Sequence, residues 1–276
     1  MAGRLCLLSG DELVDVARAS GGRFDADPQQ VYPRWPELRE WAAGRPQADP
    51  RTAPPPDAGA PAPYPRQCFG IGLNYADHVG ESGLQTPTEP VVFGKFASCL
   101  TGPGAPLVLP SDTVDWEVEL VVVIGREARR VPERVAWEHV AGLTIGQDLS
   151  DRALQFSGPA PQQFGLGKSL PGFGPTGPWL VTPDELDDPD DLEISCTLNG
   201  ATVQHSRTTH LIFDVRSLVA YLSGRLPLHP GDVIFTGTPA GIGSGRDPQV
   251  FLRPGDELVS RIEGLGRLVT RVATAT

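Results

Sequence analysis

Short runs of apolar side chains, separated by glycine and proline, dominate the hydropathy pattern and predict strands joined by tight turns. Strands are expected around 68–71, 91–93, 106–109, 117–124, 139–147, 179–181, 192–198, 201–206, 233–235, 257–262 and 267–272. Asn199-Gly200 separates two of these runs and is a strong two-residue hairpin signal, because both positions tolerate positive φ. Gly264-Leu265-Gly266 closes the last pair in a similar way. Helical spacing is clearest in Leu211, Val215, Leu218 and Leu222, which predict a helix over 210–223. Weaker helical patterns cover 11–19, with Leu13, Val16 and Ala17 on one face, and 36–42, with proline near its start. Between 45 and 65 large apolar side chains almost vanish in favour of Pro and Ala, as in a polyproline-like linker or a draped surface segment. The expected organisation is a small N-terminal segment (1–45), a linker (46–65) and an α+β, mostly β, domain (66–276).

Within this pattern the run VDWEVELVVVIG, residues 114–125, stands apart because it carries two acids in a strongly β-forming stretch. Alternate strand side chains share a face, so Glu117 and Glu119 point one way and Trp116, Val118 and Leu120 the other. From Leu120 to Ile124 the run is continuously apolar, as in a strand buried on both faces. Two carboxylates about 7 Å apart along a strand where surface meets core repel and lose hydration, and a hard divalent cation relieves both penalties. The alternative is a solvated strand face.

Composition narrows the function classes. With 32 Gly and 29 Pro among 276 residues, the chain is rich in turns and is not a helical bundle. A net charge of −11 argues against partners such as nucleic acid or an anionic membrane. The four cysteines are scattered singly, without a Cys-x-x-Cys pair, and are expected to be reduced thiols. No window approaches a membrane span and the start lacks a signal-peptide pattern, so a cytoplasmic protein is expected.

Further chemistry sits at the ends of predicted strands. Asp148 ends an apolar run and is followed by Ser150, Arg152 and Gln155; alone it is as well read as a helix cap, but with Glu117 and Glu119 it would complete a three-carboxylate oxygen site for Mg²⁺ or Mn²⁺. Lys168 lies between glycines in FGLGKSLPGFG. The Gly-Lys-Ser resembles part of a P-loop, but Gln162 stands where its first glycine belongs. FTGTPAGIGSGR lacks the third glycine of a dinucleotide fingerprint and reads as a loop offering backbone N–H groups or the Thr238 hydroxyl to an anion. In GLNYADHVGESG, His78 and Glu81 lie three apart, the spacing of a base and its orienting carboxylate on a short helix, or of a solvated surface pair.

Taken in order, GLNYADHVGE, the lysine of VFGKFAS, DWEVELVVVIG, QDLSDRALQ, GKSLPGFGPTGPWLVT, GDVIFTGTPAGIG and PGDELVSRIEGLG resemble the fumarylacetoacetate hydrolase family over 67–272. The resemblance implies a mixed β-sheet roll and a homodimer. It further implies Glu117, Glu119 and Asp148 as ligands of Mg²⁺ or Mn²⁺, and Arg152, Gln155, Lys168 and Thr238 as substrate contacts. His78 with Glu81 would be a water-activating dyad, and Lys168 would also take part in catalysis. Where the family commonly has Asn-Asp-x-Ser-Ala-Arg-Asp, this chain reads Gln147 to Ala153, keeping the acid Asp148 and Arg152 but losing a neighbouring Asn and a second Asp. His210 replaces an Asp common before the long helix.

The implied substrate is a small 2-oxo acid or β-diketone. The expected reaction is C–C hydrolysis of an acylpyruvate through a metal-stabilised enolate. Water-independent decarboxylation, isomerisation or dehydration on the same site is the alternative, and a non-catalytic metabolite-binding relative the third reading.

Overall fold

Seven consecutive buried residues form the strand Val118–Ile124, and a strand with no polar face must be covered on both sides. The structure, a computed structural model, describes residues 3–46, 53–77, 85–160 and 162–274. Val118–Ile124 is central to a seven-stranded mixed sheet ordered Val91–Gly94, Cys68–Gly72, Val233–Phe235, Val118–Ile124, Val140–Gln147, Gly174–Val181 and Leu100–Thr101. Val233–Phe235 runs parallel to Cys68–Gly72, and Gly174–Val181 parallel to Leu100–Thr101; the other pairs are antiparallel. A second, antiparallel sheet of four strands is ordered Ala201–Arg207, Glu193–Leu198, Glu257–Ile262 and Gly266–Arg271. Its first hairpin turns at Asn199 and Gly200, both at positive φ (50° and 83°), as the Asn-Gly signal predicts.

One face of the central strand, bearing Leu120, Val122 and Ile124, packs in a cluster with Ile194, Cys196, Leu258 and Ile262 of the second sheet. The helix Val215–Ser223 adds Val215, Leu218, Val219 and Leu222 to the same cluster. The opposite face bears Glu119, Val121 and Val123. Val121 and Val123 are covered by Val16, Phe24, Val31, Tyr32, Leu38 and Ala62. The N-terminal residues therefore seal one end of this face and leave its other end, at Glu119, to polar groups. This curled mixed sheet with few helices is the β-rich roll expected.

Several local expectations change. Residues 11–19 are not one helix. Glu12–Asp15 pairs antiparallel with Cys6–Ser9 across Gly10 (φ 59°), and only Val16–Ala19 is helical, capped by the Asp15 carboxylate, which accepts from the Arg18 N–H. Over so short a run the apolar spacing also suits a strand, and hairpin pairing satisfies more backbone groups than an isolated turn of helix. The expected strand at 106–109 is reduced to a single bridge between Leu107 and Val272, since Pro106 and Pro110 have no N–H to donate. The long helix starts at Val215, because the Asp214 carboxylate caps it by accepting from the Ser217 N–H. Within 53–65 the proline-rich segment is packed: Ala60 and Ala62 are buried, and the Tyr32 hydroxyl donates to the Pro61 carbonyl at 2.9 Å. Among the described residues no helix is long and apolar enough to cross a membrane.

Candidate functional site

The acids converge where the central strand begins. Val114–Asp115 pairs with Ser150–Asp151, and the chain then kinks through Trp116 and Glu117 before the long strand starts. Two buried glutamine side chains replace the strand partners missing at the kink. Gln147 Oε1 accepts from the Glu117 N–H and Gln204 Oε1 from the Val118 N–H, each at 3.0 Å. The amide of Gln147 donates to Ser260 Oγ at 2.8 Å, so both sheets hold Glu117 in place. The register pairing Val118 with Gln147 sets Asp148 beside Glu117, whose carbonyl accepts the Asp148 N–H at 2.9 Å. As a result, Glu117, Glu119 and Asp148 are all buried and offer oxygens within 4.8 Å of one another. Asp148 is not a helix cap. Asp151 has that role for the short helix Arg152–Gln155, its carboxylate accepting from the Leu154 N–H and the Thr113 hydroxyl.

Three buried cations surround the acids. Lys168 Nζ donates to Glu117 Oε2, Asp148 Oδ2 and Ser150 Oγ, each at 2.8 Å. Arg152 donates from Nε to Asp115 at 2.7 Å, from one terminal nitrogen to Glu117 Oε1 at 2.7 Å and from the other to Gln155 Oε1 at 2.8 Å. Lys95 donates to Asp148 Oδ1 at 2.5 Å and to the Lys168 carbonyl. Burial disfavours the charged forms of Lys95 and Arg152, but the adjoining carboxylates outweigh it and hold both bases protonated well beyond their ordinary range. Glu119 differs. Among the described residues its only hydrogen bond comes from the Gly237 N–H at 2.7 Å. Burial, followed by the nearby Asp148 and Glu117, pushes its carboxyl well above the usual range. With all four acids (Asp115, Glu117, Glu119, Asp148) ionised, three cations would leave one negative charge in excess, which the raised Glu119 carboxyl relieves by holding its proton.

The other expected site residues fall as follows. Gln155 and Arg152 share the short helix and meet at the site. Thr238 is buried, and its hydroxyl donates to the Val118 carbonyl and accepts from Gln204, both at 2.8 Å. The glycine-rich loop does offer an N–H to an anion, and that anion is the Glu119 carboxylate. His78 and Glu81 lie outside the described residues. Sequence reasoning assigned no role to Lys95 or Asp115, although Lys95 stands in the VFGKFAS motif and Asp115 two residues before Glu117.

A hard divalent cation suits this donor set: all three groups are carboxylates, their oxygens are close enough to share one ion, and the cation-poor Glu119, whose ionised form its acidic neighbours disfavour, would gain the counter-charge it lacks. The fumarylacetoacetate hydrolase C-terminal family model matches residues 67–273. The mitochondrial oxaloacetate tautomerase FAHD2A of Bos taurus is 44% identical over 215 residues, 77% of this chain and 68% of that protein. The crystal structure of a Mycobacterium smegmatis protein named as an HpcE candidate superposes with a TM-score of 0.92 at 55% identity, covering 99% of this chain and 98% of that one. Fumarylpyruvate hydrolase from Pseudomonas aeruginosa, solved with Mn²⁺ and pyruvate, gives a TM-score of 0.69 at 33% identity over 76% of this chain and 90% of that one.

Proposed function

Because this chain belongs to the fumarylacetoacetate hydrolase family, we propose that it is a divalent-metal-dependent enzyme of 2-oxo acids, and that its reaction is C–C hydrolysis of an acylpyruvate or related β-diketone. The observation that carries the reading is the charge balance of the buried cluster. Four acids face three bases; a divalent cation would displace the proton that the raised Glu119 carboxyl holds, and the ionised set would then carry one positive charge, which a 2-oxo monoanion would neutralise. The Mn²⁺ and pyruvate bound in the Pseudomonas aeruginosa hydrolase support the same pairing of ion and substrate class.

Glu117, Glu119 and Asp148 would hold Mg²⁺ or Mn²⁺, which would supply Lewis-acid stabilisation of the developing enolate oxygen. Lys168, held by Glu117, Asp148 and Ser150, is placed to turn its ammonium toward the substrate carboxylate or enolate once the acids are otherwise neutralised. Arg152 is anchored by Asp115 and presents a guanidinium edge beside Gln155, the two together orienting the 2-oxo acid. His78, oriented by Glu81, would take a proton from water; the hydroxide adds to the far carbonyl, the C–C bond breaks, and its electron pair passes to the pyruvate enolate, which is then protonated. The active unit is proposed to be a homodimer. Tautomerisation or isomerisation of a 2-oxo acid is the second reading, favoured by the 44% identity to oxaloacetate tautomerase.

The test is loss of enol absorbance from a panel of acylpyruvates, with oxaloacetate alongside, in Mg²⁺, in Mn²⁺ and in EDTA. Metal-dependent turnover lost in Glu117→Ala/Glu119→Ala supports the site. Solvent ¹⁸O in the acid product identifies hydrolysis; decay of the enol without ¹⁸O entry selects tautomerisation, and no turnover of any 2-oxo acid overturns both.

A further inference from the structure

Three phenylalanines lead from the charged cluster to the surface. Phe93 lies in Val91–Gly94, an edge strand of the large sheet, and its ring centroid is 5.5 Å from Lys168 Nζ. Its ring occupies the space above Gly70 on the neighbouring strand, where an added Cβ would come within 2.2 Å of it. From Phe93 the rings continue to Phe164 at 6.3 Å and from Phe164 to Phe156 at 5.7 Å, the second pair edge to face. Phe156 directly follows Gln155 on the turn that carries Arg152.

Glycines bring these elements together. A Cβ on Gly165 would lie 2.8 Å from the Gly94 carbonyl oxygen, and one on Gly167 would lie 2.7 Å from Gln155 Cα, so only glycine permits the approach of the short helix Phe164–Gly167 to both neighbours. The outer end of the row is open, with Phe156 and Leu166 each 48% exposed. The row thus runs from the Lys168 ammonium through Phe93 and Phe164 to the exposed Phe156. The row itself is made of apolar side chains alone, a seat for a neutral ring rather than for a second substrate carboxylate.

We propose that Phe93, Phe164 and Phe156 form a subsite for an aryl group at the distal end of the substrate, which makes this enzyme selective for aryl-substituted 2-oxo acids over small dicarboxylates. This inference rests on the proposed 2-oxo acid chemistry of the same site.

The experiment is calorimetric titration of the full chain, loaded with Mn²⁺, with 2-oxo-4-phenylbutanoate and with 2-oxobutanoate, two acids that differ by one phenyl group and lack a second carbonyl to cleave. The aryl acid is expected to bind about tenfold tighter or better, as stacking of its ring against the aromatic row allows. Phe164→Ala and Phe156→Ala should each lower that ratio by about fivefold, while Val108→Ala, on an exposed site outside the aromatic row, leaves it unchanged. Equal affinities in the wild type overturn the subsite. So does a ratio unaltered in both variants, including the case where light scattering finds them reduced in mass and the rings therefore form an interface between copies. Failure of both acids to bind the Mn²⁺-loaded protein overturns the parent reading instead, and the subsite with it.

Discussion

Glu119→Gln separates the metal-free protein from the metal-loaded one. At 4.8 Å, the outer limit for the three acids, two carboxylates repel by about 3.5 kcal/mol at an effective dielectric constant near 20. Glu119 faces two such neighbours, and Lys168, which bridges them, offsets about one of these repulsions. A carboxyl raised in the folded state favours folding fully below its unfolded pKa, and that contribution is lost as pH rises through the folded value. In EDTA, wild-type stability should therefore fall by about 1.4 kcal/mol per pH unit from this group alone, starting above pH ~4.3. Glutamine removes that slope and can still accept the Gly237 N–H. Thermal unfolding in EDTA should find Glu119→Gln more stable than wild type by about 3 kcal/mol at pH 8, or about 6–10 °C, with the gap closing toward pH 5. With metal at 100 times its dissociation constant the wild type gains about 2.7 kcal/mol and the variant almost none, so their order reverses or the gap collapses. A variant less stable than wild type in EDTA at pH 8 would refute the surplus-charge reasoning; an undiminished metal shift in the variant would remove Glu119 from the ligand set.

Lys95→Met leaves the Asp148 carboxylate paired with Lys168 and should destabilise the metal-free protein by about 3–5 kcal/mol in urea titrations, with Mg²⁺ restoring part of the loss. Gly237→Ala places a side chain at φ 104° with its Cβ 2.7 Å from Asn74 Cβ, so it should lower the melting temperature and weaken metal stabilisation together, since the same residue's N–H holds Glu119. His78→Ala should reduce water-dependent cleavage by about 10²–10⁴-fold while metal-induced stabilisation persists; equal loss of both would mean a structural role. Native thiol titration should find Cys6 alone reactive, because Cys68, Cys99 and Cys196 are buried and burial pushes the Cys196 thiol up to about 12; four thiols should appear on unfolding.

What could be read from the sequence was whatever depends on local period. Glu117 and Glu119 share a face because strand alternation demands it, and the continuously apolar 120–124 run is buried on both faces as its pattern requires. Asp148 was ambiguous between cap and cluster because its place depends on cross-strand register, which pairs Val118 with Gln147 and is not encoded near either acid. The place of Lys95 is illegible for a similar reason: it follows an edge strand, and only the packing of the 168–173 segment brings its ammonium to Asp148. Residues 11–19 are too short to tell one period from the other, and the pairing with Cys6–Ser9 decides for the strand.

Gln147 gives the departure at this motif a physical meaning. Its side chain spans from the Glu117 N–H to Ser260 Oγ, 3.0 and 2.8 Å respectively, so it links the acid-bearing kink to the second sheet. Asparagine is one methylene shorter and cannot hold both ends from the same backbone position. A chain with Asn here must support its first acid by another route, whereas this one couples Glu117 to a strand of the opposite sheet. That coupling fixes the acid's backbone independently of any ion. Its carboxylate is fixed just as firmly by Arg152 and Lys168, which leaves Glu119 as the member of the cluster whose charge state responds most to the arrival of a metal.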